Sequence, residues 1–415
     1  MPRRIVILSQ VYVPDPASVG QHVHDLAAEL VKRGHEVIVY CSSRGYDKPE
    51  NRYARSEVID GVKVHRYSMP VFSKTNMPLR IFGSAWAMIA LFFNALFTSK
   101  TSLIFYSTSP PLVGVIATLV AGLKRVPKVY WAMDLNPDQL LAMKKLREGS
   151  VTHTFLETAN RFVLRGADLV IALDRFMADR IRMRPNMNAE LLVLPPWSHE
   201  KIDFPLSHAD NTFRAEHGLV GKFVVMYSGN HTPANPLDTL LQATLAFKDD
   251  DQIRFLFVGG GSGKPQVETH IKEHALKNCI SLPYQPIATL RQSLSAGDVH
   301  VVSLGSDMVG IIHPCKVYGA MAVARPVLFV GPSPSHISDL IDANAFGVHV
   351  NHGDVRAAVD AIDGFRSRDL AEMGRIAQET LRAGLDKSTL CGKMVDRIEA
   401  VMDRDGLQSE LTPTS

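Results

Sequence analysis

The sequence predicts an α/β protein made of two facing, doubly wound, Rossmann-like domains, each with a mostly parallel sheet between two layers of helices. Short apolar runs alternate with amphipathic stretches through the first half, and the alternation restarts after a proline-rich interruption at residues 195–211. The length of 415 residues suits two or three domains of ordinary size. Because ligands in such sheets bind beyond the carboxyl ends of the strands, we expect the functional site in the cleft between the domains.

The first half opens with a strand–helix–strand unit. Residues 5–8 predict a buried strand, residues 21–33 predict a helix that Gly34 ends, and residues 36–40 predict the next strand. A unit of this kind makes its two strands parallel. Further strands are predicted at residues 62–65, 103–106, 128–131, 169–173 and 191–194.

The second half repeats this pattern and ends in two amphipathic helices. Strands are predicted at residues 222–227, 253–258, 280–282, 299–302, 327–330 and 347–350, and helices at residues 237–247, 265–276, 370–383 and 388–403. The expected division is a first domain at 1–198, a linker at 199–212, a second domain at 213–385, a helix at 386–405 and a flexible tail at 406–415.

Composition excludes several classes of protein. Lysine and arginine total 45 and aspartate and glutamate total 42, so the net charge of +3 argues against nucleic acid as a partner. The four cysteines lie far apart, which predicts no zinc site, no other metal site and no disulfide framework. No secretory signal precedes the first strand, so a cytoplasmic protein is expected.

A glycine-rich turn, residues 259–263, follows the strand at 253–258. It is neither a dinucleotide fingerprint, because Lys264 stands where the third glycine belongs, nor a P-loop, because Pro265 follows that lysine. Two explanations of the glycine-rich turn stay open: Gly260 and Gly261 allow the backbone to approach a ligand closely, or the segment is a plain tight turn.

Two further segments of the second half are candidates for binding an anion. Gly310 and His313 precede a helix that begins near Lys316, and a helix start beside an ammonium group suits a phosphate; a capped surface helix with a solvated lysine is the alternative. Gly229 and Asn230 close the strand at 222–227, where a glycine admits a ligand and an amide binds its oxygens.

Asp134 is the main candidate in the first half, because it follows the strand at 128–131. A carboxylate there would orient a sugar hydroxyl or accept a proton, and a structural loop or helix-capping carboxylate is the alternative. His22 follows the loop that ends at Gly20, also beyond a strand, and it is otherwise a packing histidine.

The segment 81–99 contains no charged residue and is apolar almost all round. Such a helix is either buried or in contact with lipid. It falls slightly short of a comfortable membrane span, and both of its ends belong to one domain. We expect it to touch the cytoplasmic face of a membrane without crossing it, with Lys74, Arg80 and Lys100 near anionic headgroups.

Together these motifs resemble those of the GT-B glycosyltransferases of family 4, and most closely the branch that builds bacterial surface polysaccharides. The resemblance covers residues 4 to 403. It rests on the segments at residues 34–37, 107–111, 134–138, 227–230, 259–261 and 313–318.

The resemblance implies a retaining, metal-independent transfer of sugar from a nucleoside diphosphate sugar to a polysaccharide or lipid-linked acceptor, with no cofactor. The donor would lie against the second domain, and the last helix would return to the first. The implied donor-binding residues are Gly20, Gly229, Asn230, Gly260, Gly261, Tyr284, Gly310, His313, Lys316 and Val317. Asp134 and Lys316 are the implied catalytic residues, and His22 and Asp138 lie on the acceptor side.

The sequence departs from the family at several positions. The paired glutamates of many members align with Ile311 and Gly319, and the usual catalytic histidine aligns with Met133. Lys316 is left as the main cation for the diphosphate. Two alternatives stay open: a catalytically degenerate subunit that binds a partner transferase, and a nucleotide-sugar 2-epimerase on the same fold.

Overall fold

A computed structural model describes residues 2–45, 50–67, 77–187, 189–198 and 206–410, without the side chains of 77–85, 287 and 405–410. The chain divides into two compact units. The N-terminal unit comprises Met1–Pro196 together with Lys387–Ser415, and the C-terminal unit comprises Trp197–Asp386. Lys74, the side chain of Arg80 and residues 199–205 of the expected linker lie outside the described residues.

The N-terminal unit contains an eight-stranded sheet in the order β3-β4-β2-β1-β5-β6-β7-β8. All neighbours are parallel except β3 and β4, an antiparallel edge pair. The strands are β1 (Arg4–Leu8), β2 (Glu36–Ser42), β3 (Ser56–Ile59), β4 (Val62–Tyr67), β5 (Thr101–Ser107), β6 (Lys128–Ala132), β7 (Leu169–Ala172) and β8 (Glu190–Val193). All the predicted strands of this half are present, and only β3 was not predicted.

The helices of this unit cover both faces of the sheet. They are α1 (Ser18–Lys32), α2 (Met77–Phe97), α3 (Val113–Lys124), α4 (Asp138–Ala142), α5 (Val151–Gly166) and α6 (Arg175–Arg182). Serine and aspartate caps begin two of them, since Ser150 accepts from His153 N and Asp174 accepts from Met177 N. α3 packs between α2 and α5, so these three helices form one layer. In the part of the chain that the structure describes, no helix is long and apolar enough to cross a membrane.

The C-terminal unit contains a six-stranded, all-parallel sheet in the order β11-β10-β9-β12-β13-β14. The strands are β9 (Phe223–Ser228), β10 (Ile253–Val258), β11 (Cys279–Leu282), β12 (Val299–Ser303), β13 (Val327–Val330) and β14 (Gly347–Val350). The strand order reverses direction between β9 and β12. This switch point opens a crevice at their carboxyl ends, where ligands of doubly wound sheets bind.

Eight helices of the C-terminal unit are described, and a ninth helix returns to the N-terminal unit. The eight are α7 (Thr212–Glu216), α8 (Asp238–Thr244), α9 (Lys264–Glu273), α10 (Leu290–Ser295), α11 (Lys316–Ala322), α12 (His336–Asn344), α13 (Val355–Phe365) and α14 (Leu370–Arg382). The last helix, α15 (Lys387–Glu410), packs on α1 as predicted. Arg33 Nη1 donates to Glu399 at 3.2 Å, and Lys387 pairs with Asp25.

The first five residues of the expected flexible tail at 406–415 are helical. α15 continues through Gly406 to Glu410. A glycine within a helix costs only about 1 kcal/mol, and glutamine and glutamate are good helix formers. Residues 411–415 lie outside the described residues.

Candidate functional site

Two glycine turns meet at the switch point of the C-terminal unit. Gly229 (φ 136°) follows β9 and Gly259 (φ 127°) follows β10, a backbone region that favours glycine. A Cβ on Gly259 would lie 2.0 Å from the carbonyl oxygen of Gly229. The amide of His231 donates to the carbonyl of Gly260 at 2.7 Å, which ties the turns together. The second turn therefore requires glycine at 259 for its contact with the first.

The same turns gather four of the predicted donor-binding residues. A Cβ on Gly261 would lie 2.1 Å from Asn230 Oδ1, so the asparagine amide packs against the second turn. Tyr284, which is 54% exposed, lies over Gly260, and its hydroxyl donates to the Gly260 carbonyl at 3.4 Å. The arrangement presents a backbone surface beside an accessible aromatic ring.

Lys316 is the first residue of α11, and its stem covers the Gly229 turn. A Cβ on Gly229 would lie 2.5 Å from Lys316 Cε, and Lys316 Nζ lies 5.4 Å from the centre of the Tyr227 ring. Within the described ranges, no carboxylate forms an ion pair with Lys316. Burial lowers the pKa of Lys316 to about 8. The site thus holds a partly desolvated positive charge without a counter-ion.

The segment before α11 is held by a network of aromatic side chains. His313 Nε2 lies 2.8 Å from Tyr318 Oη, which lies 3.0 Å from His336 Nε2. Gly310 has a φ of 68°, in the backbone region that favours glycine. The side chain of Val317 is fully buried, so its predicted contact with the donor would come from its backbone.

Two basic residues at this site behave differently from Lys316. Lys264 Nζ donates to the carbonyls of Phe257 at 3.1 Å and Leu282 at 2.8 Å, so it ties the ends of β10 and β11. Sequence reasoning missed His231, whose ring packs edge-on at 4.9 Å from that of Tyr227. Burial, chiefly, lowers the pKa of His231 to about 4, so its imidazole is neutral at pH 7.

In the N-terminal unit, Asp134 lies beyond the carboxyl end of β6. Thr108, which follows β5, accepts from the amides of Met133 at 2.9 Å and Asp134 at 3.2 Å. Burial raises the pKa of Asp134 to about 6. Among the described residues its carboxylate has no ion-pair partner. This is the environment of a carboxyl group that exchanges a proton near neutral pH.

The other predicted residues of the first half are engaged in packing or pairing. His22 is buried, and its Nδ1 lies 2.9 Å from the Ser18 carbonyl oxygen. Gly20 lets α1 approach the backbone of Tyr12, because a Cβ on Gly20 would lie 3.2 Å from Tyr12 Cα. Asp138 forms an ion pair with Arg184. Their roles toward an acceptor stay predictions.

Comparison with known proteins identifies both halves of the chain. The family models described as "Glycosyl transferase 4-like domain" and "Glycosyl transferases group 1" match residues 18–197 and 222–366. The probable glycosyltransferase WbjE of Pseudomonas aeruginosa is 24% identical over 91% of this chain and 93% of its own length. The chain is a GT-B glycosyltransferase. The resemblance drawn from the sequence is therefore confirmed.

Two further proteins resemble this glycosyltransferase over nearly their whole length. The putative colanic acid biosynthesis glycosyl transferase WcaI of Escherichia coli (strain K12) is 23% identical over 95% of this chain and 99% of its own. The crystal structure of Anabaena HepE in complex with UDP and glucose superposes with a TM-score of 0.72 at 16% identity, covering 96% of this chain and 100% of HepE. The latter likeness confirms the fold.

The two positions that the resemblance aligns with the family's paired glutamates carry no carboxylate. Ile311 is buried, and Gly319 lies within α11 with only Leu294 near its missing side chain. The candidate site in the C-terminal unit therefore has a cation in Lys316 and no carboxylate at either of these positions.

Proposed function

We propose that this enzyme transfers a sugar from a nucleoside diphosphate sugar, bound by its C-terminal unit, to a glycan or lipid-linked acceptor on its N-terminal unit. The observation that carries the proposal is Lys316, whose stem lies on the Gly229 turn and whose desolvated ammonium has no ion-pair partner among the described residues. A diphosphate supplies the missing negative charge.

The surroundings of Lys316 fit a phosphate group better than a neutral ligand. Hydrogen bonds between an ammonium and a phosphate oxygen are roughly twice as strong as neutral ones. The glycines at 229, 260 and 261 leave the backbone open to close approach. In the reaction, the sugar–oxygen bond breaks and negative charge grows on the departing diphosphate, where Lys316 would stabilise it.

Tyr284 and Asp134 complete the proposed site. The exposed ring of Tyr284 beside Gly260 offers an aromatic surface to a nucleobase. Asp134 would orient the reacting hydroxyl through its carboxylate. HepE was solved with UDP and glucose, which makes UDP-glucose the first donor to test. We further propose retention of configuration, no metal requirement and a cytoplasmic location.

Contact of residues 81–99 with a membrane is part of the same proposal. Ala87, Leu91 and Ala95 are buried, whereas Trp86, Ile89, Phe93 and Phe97 are exposed at helical spacing on α2. One described face of this helix therefore packs within the unit, and we propose that the exposed face meets lipid. A lipid-linked acceptor would give such contact a purpose.

Calorimetry with UDP-glucose tests the donor site. Lys316→Met keeps the length of the side chain and removes its charge, and Lys248→Met removes an exposed lysine of the same unit as the matched control. A lost charge-assisted hydrogen bond predicts a donor affinity weaker by roughly 10- to 150-fold for the first variant. Equal affinities for both variants and the parent would remove Lys316 from the site.

Cys315 offers a second readout that requires no variant. It is exposed, whereas Cys41, Cys279 and Cys391 are buried, so a thiol reagent should label it first. UDP bound at Lys316 should slow this labelling. Release of UDP from UDP-glucose by purified protein then separates an enzyme from a degenerate binding subunit.

A further inference from the structure

Exposed apolar side chains are concentrated on one layer of the N-terminal unit. The described residues include fifteen large apolar side chains that are exposed, and nine of them lie on α2, α3 and α5. Beyond the four on α2, these are Leu119 and Leu123 on α3 and Val151, Phe155 and Phe162 on α5. Every exposed tryptophan and phenylalanine of the described chain belongs to this group.

These side chains lie on three neighbouring helices. α3 packs against both α2 and α5, so the three helices lie side by side on the sheet. Leu119 and Leu123 are one helical turn apart, and Val151, Phe155 and Phe162 recur at spacings that keep them on one side of α5. Apolar patches of this kind on a soluble protein mark a binding surface.

The charged residues within these three helices are nearly all positive. Glu157 is the one acidic residue within the three helices, and its carboxylate accepts from Arg161 and Arg184 at 2.8–2.9 Å. Arg161 and Arg165 line a cleft of about 530 Å³ together with Phe162. The aromatic rings of α5 are thus flanked by guanidinium groups.

We propose that the face formed by α2, α3 and α5 docks on an anionic lipid bilayer, with Arg161 and Arg165 against headgroup phosphates and the rings of Phe155 and Phe162 among the acyl chains. This extends the proposed function, on which it rests for its purpose, from one helix to a three-helix surface with its own headgroup cleft. Apolar burial and attraction to anionic lipid act together in such docking.

Charge favours a bilayer over a second copy of the chain. In a twofold dimer through this face, the same basic residues would approach each other from both sides. Arg161 and Arg165 would then meet like charges, whereas an anionic bilayer supplies phosphates to both.

Flotation with vesicles of phosphatidylcholine, with and without phosphatidylglycerol, tests the proposal. We expect the parent protein to float with the anionic vesicles at low salt. Phe155→Ser with Phe162→Ser should lower binding at least tenfold, although α2 is untouched. Val220→Ser, which removes an exposed apolar side chain of the C-terminal unit, is the matched control and should bind as the parent does.

A second pair of variants tests the headgroup cleft. Arg161→Gln with Arg165→Gln should weaken binding to anionic vesicles by roughly 30-fold and remove the preference for them. The fold should survive, because Arg184 still pairs with Glu157 and a glutamine at 165 can still donate to the Pro185 carbonyl.

Any of three results would overturn the proposal. The first is a parent protein that stays in the soluble fraction at low salt, and the second is flotation of the α5 variants equal to that of the parent. The third is a dimeric parent that the serine variants convert to a monomer. UDP-glucose binding measured on the same variants keeps the two proposals apart, since loss of docking should leave donor affinity unchanged.

Discussion

Raising the pH from 7 to 9 should weaken donor binding through a single group, Lys316. An ordinary lysine stays almost fully charged at pH 9, because its pKa is near 10.4. Burial beside Tyr227 and Gly229 lowers the pKa of Lys316 to about 8, so the ammonium loses its proton within this range. A neutral amine cannot form an ion pair with the diphosphate.

The expected size of the effect follows from that pKa. About 90% of Lys316 is charged at pH 7 and about 10% at pH 9. If only the charged form binds, the apparent dissociation constant rises about tenfold over these two pH units. Bound donor adds negative charge next to the amine and raises its pKa, so binding above pH 8 should take up close to one proton.

Calorimetry of UDP-glucose binding at pH 7, 8 and 9, in buffers of different ionisation enthalpy, measures both quantities. Lys316→Arg keeps the charge throughout and should give an affinity independent of pH. Cys315→Ser removes the neighbouring thiol, whose charge opposes the effect of burial on the pKa of Lys316, and its affinity should still decline as the pH rises. An affinity of the parent that is flat to pH 9 would refute the reasoning, and so would an equal decline in the arginine variant.

Four further outcomes follow from the same geometry. Lys316→Met should raise the free energy of unfolding by up to about 3 kcal/mol below pH 8, a gain that fades toward pH 10.5 as the unfolded lysine also loses its proton; urea titration measures it. In activity assays, Asp134→Asn should lower turnover far more than donor affinity. In urea titrations, the same variant should be more stable than the parent by up to about 3 kcal/mol above pH 6 but not below pH 4. Gly229→Ala should displace the Lys316 stem and weaken UDP binding in calorimetry, because its Cβ would meet Lys316 Cε at 2.5 Å. The parent should lose stability between pH 6.5 and 4, because the unfolded chain protonates His231 before the folded protein does. His231→Phe should remove up to about 3 kcal/mol of that loss, which thermal unfolding measures.

Most of the fold was predictable because its strands are buried on both faces. Apolar runs such as residues 253–258 and 327–330 identify central parallel strands directly. β3 escaped prediction for the opposite reason. It is an edge strand in which Ser56 and Val58 are exposed and Glu57 reaches out to Arg66, so its residues show no apolar run.

The candidate site was predictable where glycine identity dictates geometry. Gly229 and Gly261 have backbone angles and contacts that other residues do not tolerate, and their order along the chain places both at strand ends. Pairing between distant residues was not predictable. Asp138 lies 46 positions from Arg184, and its carboxylate is taken up in that ion pair. No local sequence pattern predicts such a contact. Nor does one predict that Lys316 has no ion-pair partner among the described residues.

Lys316, which has no ion-pair partner among the described residues, distinguishes the proposed donor site from a degenerate one. The depressed pKa of Lys316 corresponds to an upper limit of about 3 kcal/mol of lost stability at pH 7. A methionine would fill the same space over Gly229 without that cost. Packing therefore gives no reason for the charge, and neither does an ion pair within the described chain. A ligand that brings negative charge recovers the lost stability whenever it binds, which is the behaviour required of a diphosphate site. On this argument, the proposed role of Lys316 toward the leaving diphosphate does not depend on carboxylates at positions 311 and 319.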